Sequence, residues 1–126
     1  MSKFGKIEIL LVEDTVANQK LATIILKKLG YDNVELAESG QRAVHMCMEK
    51  KYDIILMDCQ MPIMDGYQAS INIRNHKLNK DTVIIAMTAN AMQEDRDKCL
   101  ASGMNDYISK PIIIPLLDSM IKKWIG

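Results

Sequence analysis

The sequence has no excess of charge of either sign. Its 126 residues carry 16 Lys and Arg against 16 Asp and Glu. A balanced chain does not grip nucleic acid or an anionic membrane by bulk electrostatics. Cysteine is scarce: Cys47, Cys59 and Cys99 are odd in number and make no CxxC. They read as reduced thiols of a cytoplasmic protein rather than as a disulfide framework. Long apolar runs are missing, and none approaches the roughly 18 residues that a membrane span needs. Met1–Lys6 has no apolar stretch of the kind a secretion signal carries. Aromatic side chains are few, with one Phe and one Trp, whereas Met occurs ten times, which points to an adaptable aliphatic core. Linkers, low-complexity tracts and internal repeats are lacking too. Residues 1–126 therefore read as a single domain with a radius of gyration of about 14 Å. Such a chain buries roughly two-thirds of its unfolded surface and needs neither metal nor disulfide to fold.

What is present is an apolar pattern that keeps switching period. Ile7–Val12 is a short apolar run broken by Glu8. Val16–Leu29 has helical spacing through Leu21, Ile25 and Leu29, with Gly30 as its stop. Val34 and Leu36 alternate with polar residues. Ser39 is placed to cap a helix reaching about Lys50, with Ala43 or Val44 and Cys47 inward. Ile54–Met57 and Val83–Met87 are continuous apolar runs, as in strands buried on both faces. A loop with Pro62 and Gly66 leads into a helix ending near Asn75, and Gln93–Ser102 reads as another helix. Tyr107-Ile108 is a brief strand. Ile113, Leu117, Met120 or Ile121, and Trp124 share one face of a last helix.

Five βα units predict an α/β fold: a doubly wound, five-stranded parallel sheet with right-handed crossovers. Strands two and five are the shortest and least apolar, which suits the edges. Strands one, three and four suit the centre. This fits the order 2-1-3-4-5, one of the two common doubly wound arrangements.

In such sheets function lies beyond the carboxyl ends of the strands. Glu13 and Asp14 follow strand one, Asp58 follows strand three, Thr88 strand four and Lys110 strand five. Singly, each is ordinary. An Asp or Thr at a strand end often caps the next helix, and a lysine is usually on the surface. Together they bring three carboxylates, a hydroxyl and an ammonium to one edge. Carboxylates a few Å apart repel by several kcal/mol at the effective dielectric of a protein rim. A hard divalent cation offsets that cost, and Mg²⁺ is typically held by one or two carboxylates plus phosphate oxygens. The set points to phosphoryl chemistry with Asp58 as a carboxylate acceptor. Lys110 and the ion would neutralise the phosphoryl oxygens, and Thr88 would donate to one of them.

Four blocks carry a resemblance: Ile9–Asp14 (ILLVED), Met57–Gly66 (MDCQMPIMDG), Met87–Met92 (MTANAM) and Tyr107–Pro111 (YISKP). In order, spacing and strand context they resemble the response regulator receiver domain, a CheY-like, flavodoxin-like (βα)5 fold, from about Lys6 to Trp124. Asn18-Gln19 and the run Cys99–Tyr107 are most similar to receivers of hybrid sensor histidine kinases. The resemblance implies that Asp58 accepts a phosphoryl group from a phosphohistidine. It implies that Glu13, Asp14, Asp58 and the main-chain carbonyl of Gln60 hold Mg²⁺, for which Mn²⁺ can substitute. Thr88 and Lys110 would contact the phosphoryl group, and Thr88 and Tyr107 would form the switch. Lys110-Pro111 matches a peptide bond that is usually cis in this family. Thr15 departs from the Asn often found there, while Cys59, Gln60 and Asn90 occupy variable positions that bear on phosphate lifetime. Implied partners are a histidine kinase or histidine phosphotransfer protein and a downstream protein, with a monomeric or weakly dimeric chain. No nucleic acid and no membrane insertion are implied. Such a domain is a two-component switch with weak self-dephosphorylation, not primarily an enzyme.

Three other functions compete. A phosphohydrolase of the haloacid-dehalogenase type needs a second Asp two residues after the acceptor, where this chain has Gln60. A flavin or nucleotide binder needs a phosphate-cradling turn after strand one, but Glu13–Asn18 has no Gly and two negative charges. A degenerate receiver serving only for docking would not need the full set of site residues. Met57, Met61, Met64, Met87 and Met92 read as packing, His45 and His76 as surface residues, and Glu94–Lys98 as a mixed-charge helix face.

Overall fold

Five strands and five helices alternate in the computed structural model, which describes residues 6–89 and 93–125. Asn90 and Met92 lie outside the described residues. The strands are β1 (Glu8–Val12), β2 (Asn33–Ala37), β3 (Ile54–Asp58), β4 (Val83–Thr88) and β5 (Asp106–Ser109). The helices are α1 (Val16–Lys28), α2 (Gly40–Glu49), α3 (Gly66–Arg74), α4 (Gln93–Ala101) and α5 (Ile114–Ile125). All neighbouring strands pair in parallel, in the order β2-β1-β3-β4-β5. The fold class and strand order are those expected from the sequence.

The central strands are apolar without interruption because both faces of the sheet are covered. Side chains alternate sides along each strand. Leu10, Val12, Ile55, Met57, Ile84 and Ala86 face a core shared with α2, α3 and α4. Ile9, Leu11, Ile54, Leu56, Ile85 and Met87 face a core shared with α1 and α5. β2 is as long as β1 and β3, so length does not mark it as an edge. Its exposure does, with Leu36 40% accessible.

Two helix faces differ from their sequence reading. On α1 the buried positions are Ala22, Ile25 and Leu26, while Leu21 is exposed. The inward stripe is rotated toward the small Ala22, which takes the buried position next to Leu21. Ile113 precedes α5 rather than joining its face. Its carbonyl accepts the Leu117 N–H at 3.1 Å, and its side chain is exposed, whereas Leu117 and Ile121 are buried.

Local chemistry sets the helix starts. Ser39 caps α2 as expected, its hydroxyl oxygen accepting the Arg42 N–H at 3.1 Å. Asp65 and Gln68 form a capping box at α3: Asp65 Oδ1 accepts the Gln68 N–H at 2.9 Å and Gln68 Oε1 accepts the Asp65 N–H at 3.3 Å. Gly66 is dictated by close approach. A Cβ there would stand 2.3 Å from the Asp58 carbonyl oxygen. Its absence lets α3 start directly over the end of β3.

The amino end of the sheet is closed by neutral and paired polar groups. Asn79 is fully buried, and its Oδ1 accepts from the Tyr52 N–H at 2.9 Å and the Thr82 hydroxyl at 2.8 Å. Its Nδ2 donates to the carbonyls of Cys47 and Lys50, each at 2.7 Å. Arg74 donates to the carbonyls of Thr82 and Gly103 and to Asn105 Oδ1 at 2.6, 2.9 and 2.8 Å. At the start of β5, Asp106 Oδ2 accepts from Trp124 Nε1 at 2.9 Å and Lys123 Nζ at 3.2 Å.

Candidate functional site

The carboxyl end of the same sheet gathers the residues singled out in the sequence. Because β1 and β3 are neighbours, Glu13 and Asp14 face Asp58 across the point where the chain reverses its direction of winding. One carboxylate oxygen from each of the three lies within 4.8 Å of the others. Glu13 and Asp58 are each 2% exposed, and Asp14 is the most open of the three. Lys110, just past β5, reaches over both buried acids. Its Nζ is 3.1 Å from Glu13 Oε2 and 3.2 Å from Asp58 Oδ1. The Lys110 N–H also donates to the Thr88 carbonyl at 2.8 Å, tying the ends of β4 and β5 together. The Lys110-Pro111 peptide is cis, as the resemblance implied.

Gln60 contributes its backbone: its N–H donates to Asp58 Oδ1 at 3.0 Å. Among the described residues, the Gln60 N–H and the Lys110 ammonium both reach the same Asp58 oxygen, Oδ1. Thr88 ends β4 with its side chain buried. Tyr107 is half-buried on β5 and packs against the core shared with α2–α4. The Arg96 guanidinium stands over its ring, 4.8 Å from the centroid. Lys98 likewise lies 4.3 Å from the Tyr67 ring centroid. The charged face of α4 is thus not simply solvated, since two of its cations rest on aromatic rings.

Two residues that the sequence marked only through their resemblance to hybrid-kinase receivers also touch the site. Asn18 Nδ2 donates to Glu13 Oε1 at 3.4 Å, and Gln19 Nε2 donates to the Glu13 carbonyl at 2.8 Å. Both sit on the first turn of α1 and hold the acidic turn in place. The signal was a pair of carboxamides five and six residues after an acid, on a helix that starts there. Thr15 adds a weak 3.4 Å N–H contact to Glu13 Oε1 and a 3.5 Å hydroxyl contact to Asp14, so it shapes the turn as its position suggested. Met57, Met61 and Met87 are buried, and Met64 is packed against one core, in keeping with a packing role. His45 does have a partner, Glu49 one turn along α2 at 3.2 Å, on the exposed face.

The electrostatics follow from burial and proximity. Burial is the main cause that pushes the Asp58 carboxyl up to about 6, and the charge of Glu13 adds to it. The Gln60 N–H and the Lys110 ammonium pull the other way. Burial works against the Lys110 charge, but the hydrogen bond to Glu13 and the charge of Asp58 outweigh it and raise its pKa. The donor set is all oxygen, three carboxylates in a small space, with a single lysine as counter-charge. It fits a small hard cation such as Mg²⁺, and it does not suit a soft metal.

Known proteins resemble this chain over most of its length. The family model described as the response regulator receiver domain matches residues 9–122. Hybrid signal transduction histidine kinase B of Dictyostelium discoideum is 44% identical over 134 residues, covering 96% of this chain and 7% of the kinase. Two-component system protein A of Emericella nidulans is 40% identical, covering 94% of this chain and 17% of that protein. This chain thus spans a small part of its curated relatives. Among solved structures, the receiver domain of a sensor histidine kinase from Pseudomonas aeruginosa is 46% identical, with a TM-score of 0.88, covering 95% of this chain and 98% of that one. That structure holds a magnesium ion coordinated in its active-site cleft. A co-crystal structure of a Saccharomyces cerevisiae histidine phosphotransfer protein and the receiver domain of its downstream response regulator matches at 34% identity and a TM-score of 0.88, over 98% of this chain and 92% of that one.

Proposed function

The chain belongs to the response regulator receiver domain family, and from that premise we propose that Asp58 accepts a phosphoryl group from a phosphohistidine and thereby switches a partner-binding surface. What carries this reading is the convergence of Glu13, Asp14, Asp58 and Lys110 at one sheet edge, with Lys110 Nζ within 3.2 Å of Asp58. Since Gln60 N–H and Lys110 both engage Oδ1, Oδ2 is the attacking oxygen. It forms the new bond to phosphorus as the phosphorus–nitrogen bond to histidine breaks. Lys110 is already in place to follow the charge onto a phosphoryl oxygen, and the Thr88 hydroxyl donates to another. Glu13, Asp14, Asp58 and the Gln60 carbonyl are the groups that would hold Mg²⁺ or Mn²⁺. When bound, the ion supplies charge neutralisation, both for the phosphoryl oxygens and for the three carboxylates.

Phosphorylation adds roughly one negative charge beyond that of the Asp58 carboxylate. Thr88, drawn toward the phosphoryl group, opens space into which Tyr107 turns. Its partners are a histidine kinase or histidine phosphotransfer protein upstream and a protein downstream. Residues 1–126 act as one receiver unit, monomeric or weakly dimeric, in the cytoplasm. The unit is not a turnover enzyme. Gln60 stands two residues past Asp58, and a carboxamide cannot relay the proton that rapid hydrolysis requires.

The test is phosphotransfer. A histidine phosphotransfer protein carrying labelled phosphohistidine is mixed with this chain and Mg²⁺. The label moves to the wild-type chain, stays on the donor with Asp58→Asn, and stays on the donor when a chelator replaces Mg²⁺. Equal labelling of Asp58→Asn would overturn the assignment.

A further inference from the structure

The loop between β3 and α3 leaves Asp58 and comes straight back to it. Gly66, at its far end, lies against the Asp58 carbonyl, and its N–H donates to the Cys59 carbonyl at 3.2 Å. Between these ends the loop is pinned from inside. Met61 is buried, and Met64 packs against the core shared with α2–α4. The Met64 backbone abuts the start of α2, where a Cβ on Gly40 would stand 2.5 Å from the Met64 carbonyl oxygen. Ile63, at the tip, is 89% exposed, the most of any large apolar side chain among the described residues. Its φ is +70°, a sign shared among the described residues only by glycines. The Met64 N–H donates across it to the Pro62 carbonyl at 2.9 Å, closing a γ-turn of the rare, strained hand. A β-branched residue is poorly suited to this backbone, whereas Gly and Asn adopt it readily. The free fold thus gains little from this isoleucine, which buries almost nothing and holds a turn that Asn would hold with less strain. Strain kept beside a functional site points to a role outside the free fold.

The tip is close to the acceptor. Ile63 stands within about 11 Å of Gly66 along the chain, and Gly66 touches the Asp58 carbonyl. It is matched on the other loops that carry site charges. Val16 follows Asp14 and Thr15 and is 60% exposed, and Ile113 follows Lys110 by three residues and is 55% exposed. The acidic mouth is therefore bordered by exposed β-branched apolar residues after β1, β3 and β5. Asp58 is 2% exposed, so a donor protein brings its histidine to that carboxylate only by covering this mouth. We propose that Ile63 is a docking residue for the phosphohistidine-bearing donor protein, held outward by its strained turn and buried against apolar side chains beside the donor's histidine. The proposal rests on Asp58 being the phosphoryl acceptor. It adds the residue that distinguishes a protein donor from a small one. A small phosphodonor enters the mouth without covering Ile63, so the side chain acts only when the donor is a protein.

Two substitutions separate the side chain from the turn. Ile63→Val keeps a β-branched apolar residue and the strain. Ile63→Asn removes the apolar contact and relaxes the backbone. Each is compared with wild type in thermal melting and in phosphoryl uptake with Mg²⁺, from the labelled histidine phosphotransfer protein and from acetyl phosphate. With the protein donor, Ile63→Asn should raise the half-saturating donor concentration at least about tenfold, as expected for one lost apolar burial. Its maximal transfer rate, and its uptake from acetyl phosphate, should stay within about twofold of wild type. It should also melt about 3 °C higher than wild type, because the left-handed strain is relieved. Ile63→Val should melt as wild type does and raise the half-saturating concentration no more than about fourfold, as for one methylene. An unchanged half-saturating concentration in Ile63→Asn would overturn the proposal. An equal loss with acetyl phosphate would overturn it too, since the effect would then lie in the loop that carries Gln60. A variant Ile63→Asn that melts below wild type removes the strain and with it the stated ground for the role. Wild type that takes up phosphoryl from neither donor overturns the proposed function, and this inference falls with it.

Discussion

Two aspartates at opposite ends of this sheet are treated in opposite ways. At the amino end, burial works to raise the pKa of Asp106, but donors from Trp124, the Tyr107 backbone and Lys123 lower it. At the carboxyl end, burial beside Glu13 raises that of Asp58 in spite of Lys110 and the Gln60 N–H. The amino end spends its polar atoms on closing the fold. Asn79 satisfies four partners, and Arg74 ties two loops, the one before β4 and the one before β5. The carboxyl end keeps three carboxylates around one lysine and is short of positive charge. Sites that store electrostatic cost in this way trade stability for function. The amino end should therefore yield stability effects without chemistry. The carboxyl end should yield effects that depend on what is bound there.

The largest expected effect is at the amino end. Asn79→Ala leaves the Tyr52 N–H, the Thr82 hydroxyl and two carbonyls without their buried partner. It should lower unfolding free energy by about 3 kcal/mol in urea titration. Phosphoryl uptake per folded molecule should stay at the wild-type rate. A loss of uptake in the folded fraction would show that the two ends are not separable.

Lys110→Met comes next and should behave differently. It leaves Glu13 and Asp58 as a buried like-charge pair, at a cost of about 2 kcal/mol. Millimolar Mg²⁺ should recover much of that loss, because the ion replaces the missing positive charge. The same Mg²⁺ should do little for Asn79→Ala. Equal Mg²⁺ dependence in both variants would erase the distinction between the ends.

The smallest effect concerns pH. The folded pKa of Asp106 lies below its unfolded value. Its stabilisation is therefore complete above the unfolded pKa of about 4 and is lost as pH falls through the folded value. Asp106→Asn should cost about 1 kcal/mol near neutral pH and almost nothing in strong acid. Urea midpoints measured from pH 7 downward should converge for the two proteins. Parallel curves would mean that the carboxylate charge at Asp106 contributes nothing.

The same division explains what the sequence made legible. The carboxyl-end residues each follow directly on an apolar run, so locating the strands located Glu13, Asp14, Asp58, Thr88 and Lys110. Apolarity marked β1, β3 and β4 as central, with Ile54–Asp58 wholly buried and β2 half-exposed, and this fitted the order 2-1-3-4-5 as one of the two common doubly wound arrangements without deriving it. The amino-end network was silent because Asn79 meets Tyr52 and Cys47 from 27 and 32 residues away. Nothing local marks an Asn in a loop as the hub of three elements. Leu21 was misplaced because periodicity fixes a helical stripe only to within a residue, and the small Ala22 took the inward position. Arg96 and Lys98 read only as part of a mixed-charge helix face because the rings beneath them, Tyr107 and Tyr67, belong to other elements.

The central claim is that Asp58 serves function at the expense of the fold and that a divalent cation makes good the difference. Thermal melting of wild type and Asp58→Asn, each with chelator and with Mg²⁺, tests it most directly. In chelator Asp58→Asn should melt about 3 °C above wild type, because one repelling buried charge is gone. Mg²⁺ should raise the wild type and close that gap, while moving the variant little. A variant that melts below wild type in chelator, or that gains as much from Mg²⁺ as wild type does, would contradict the account.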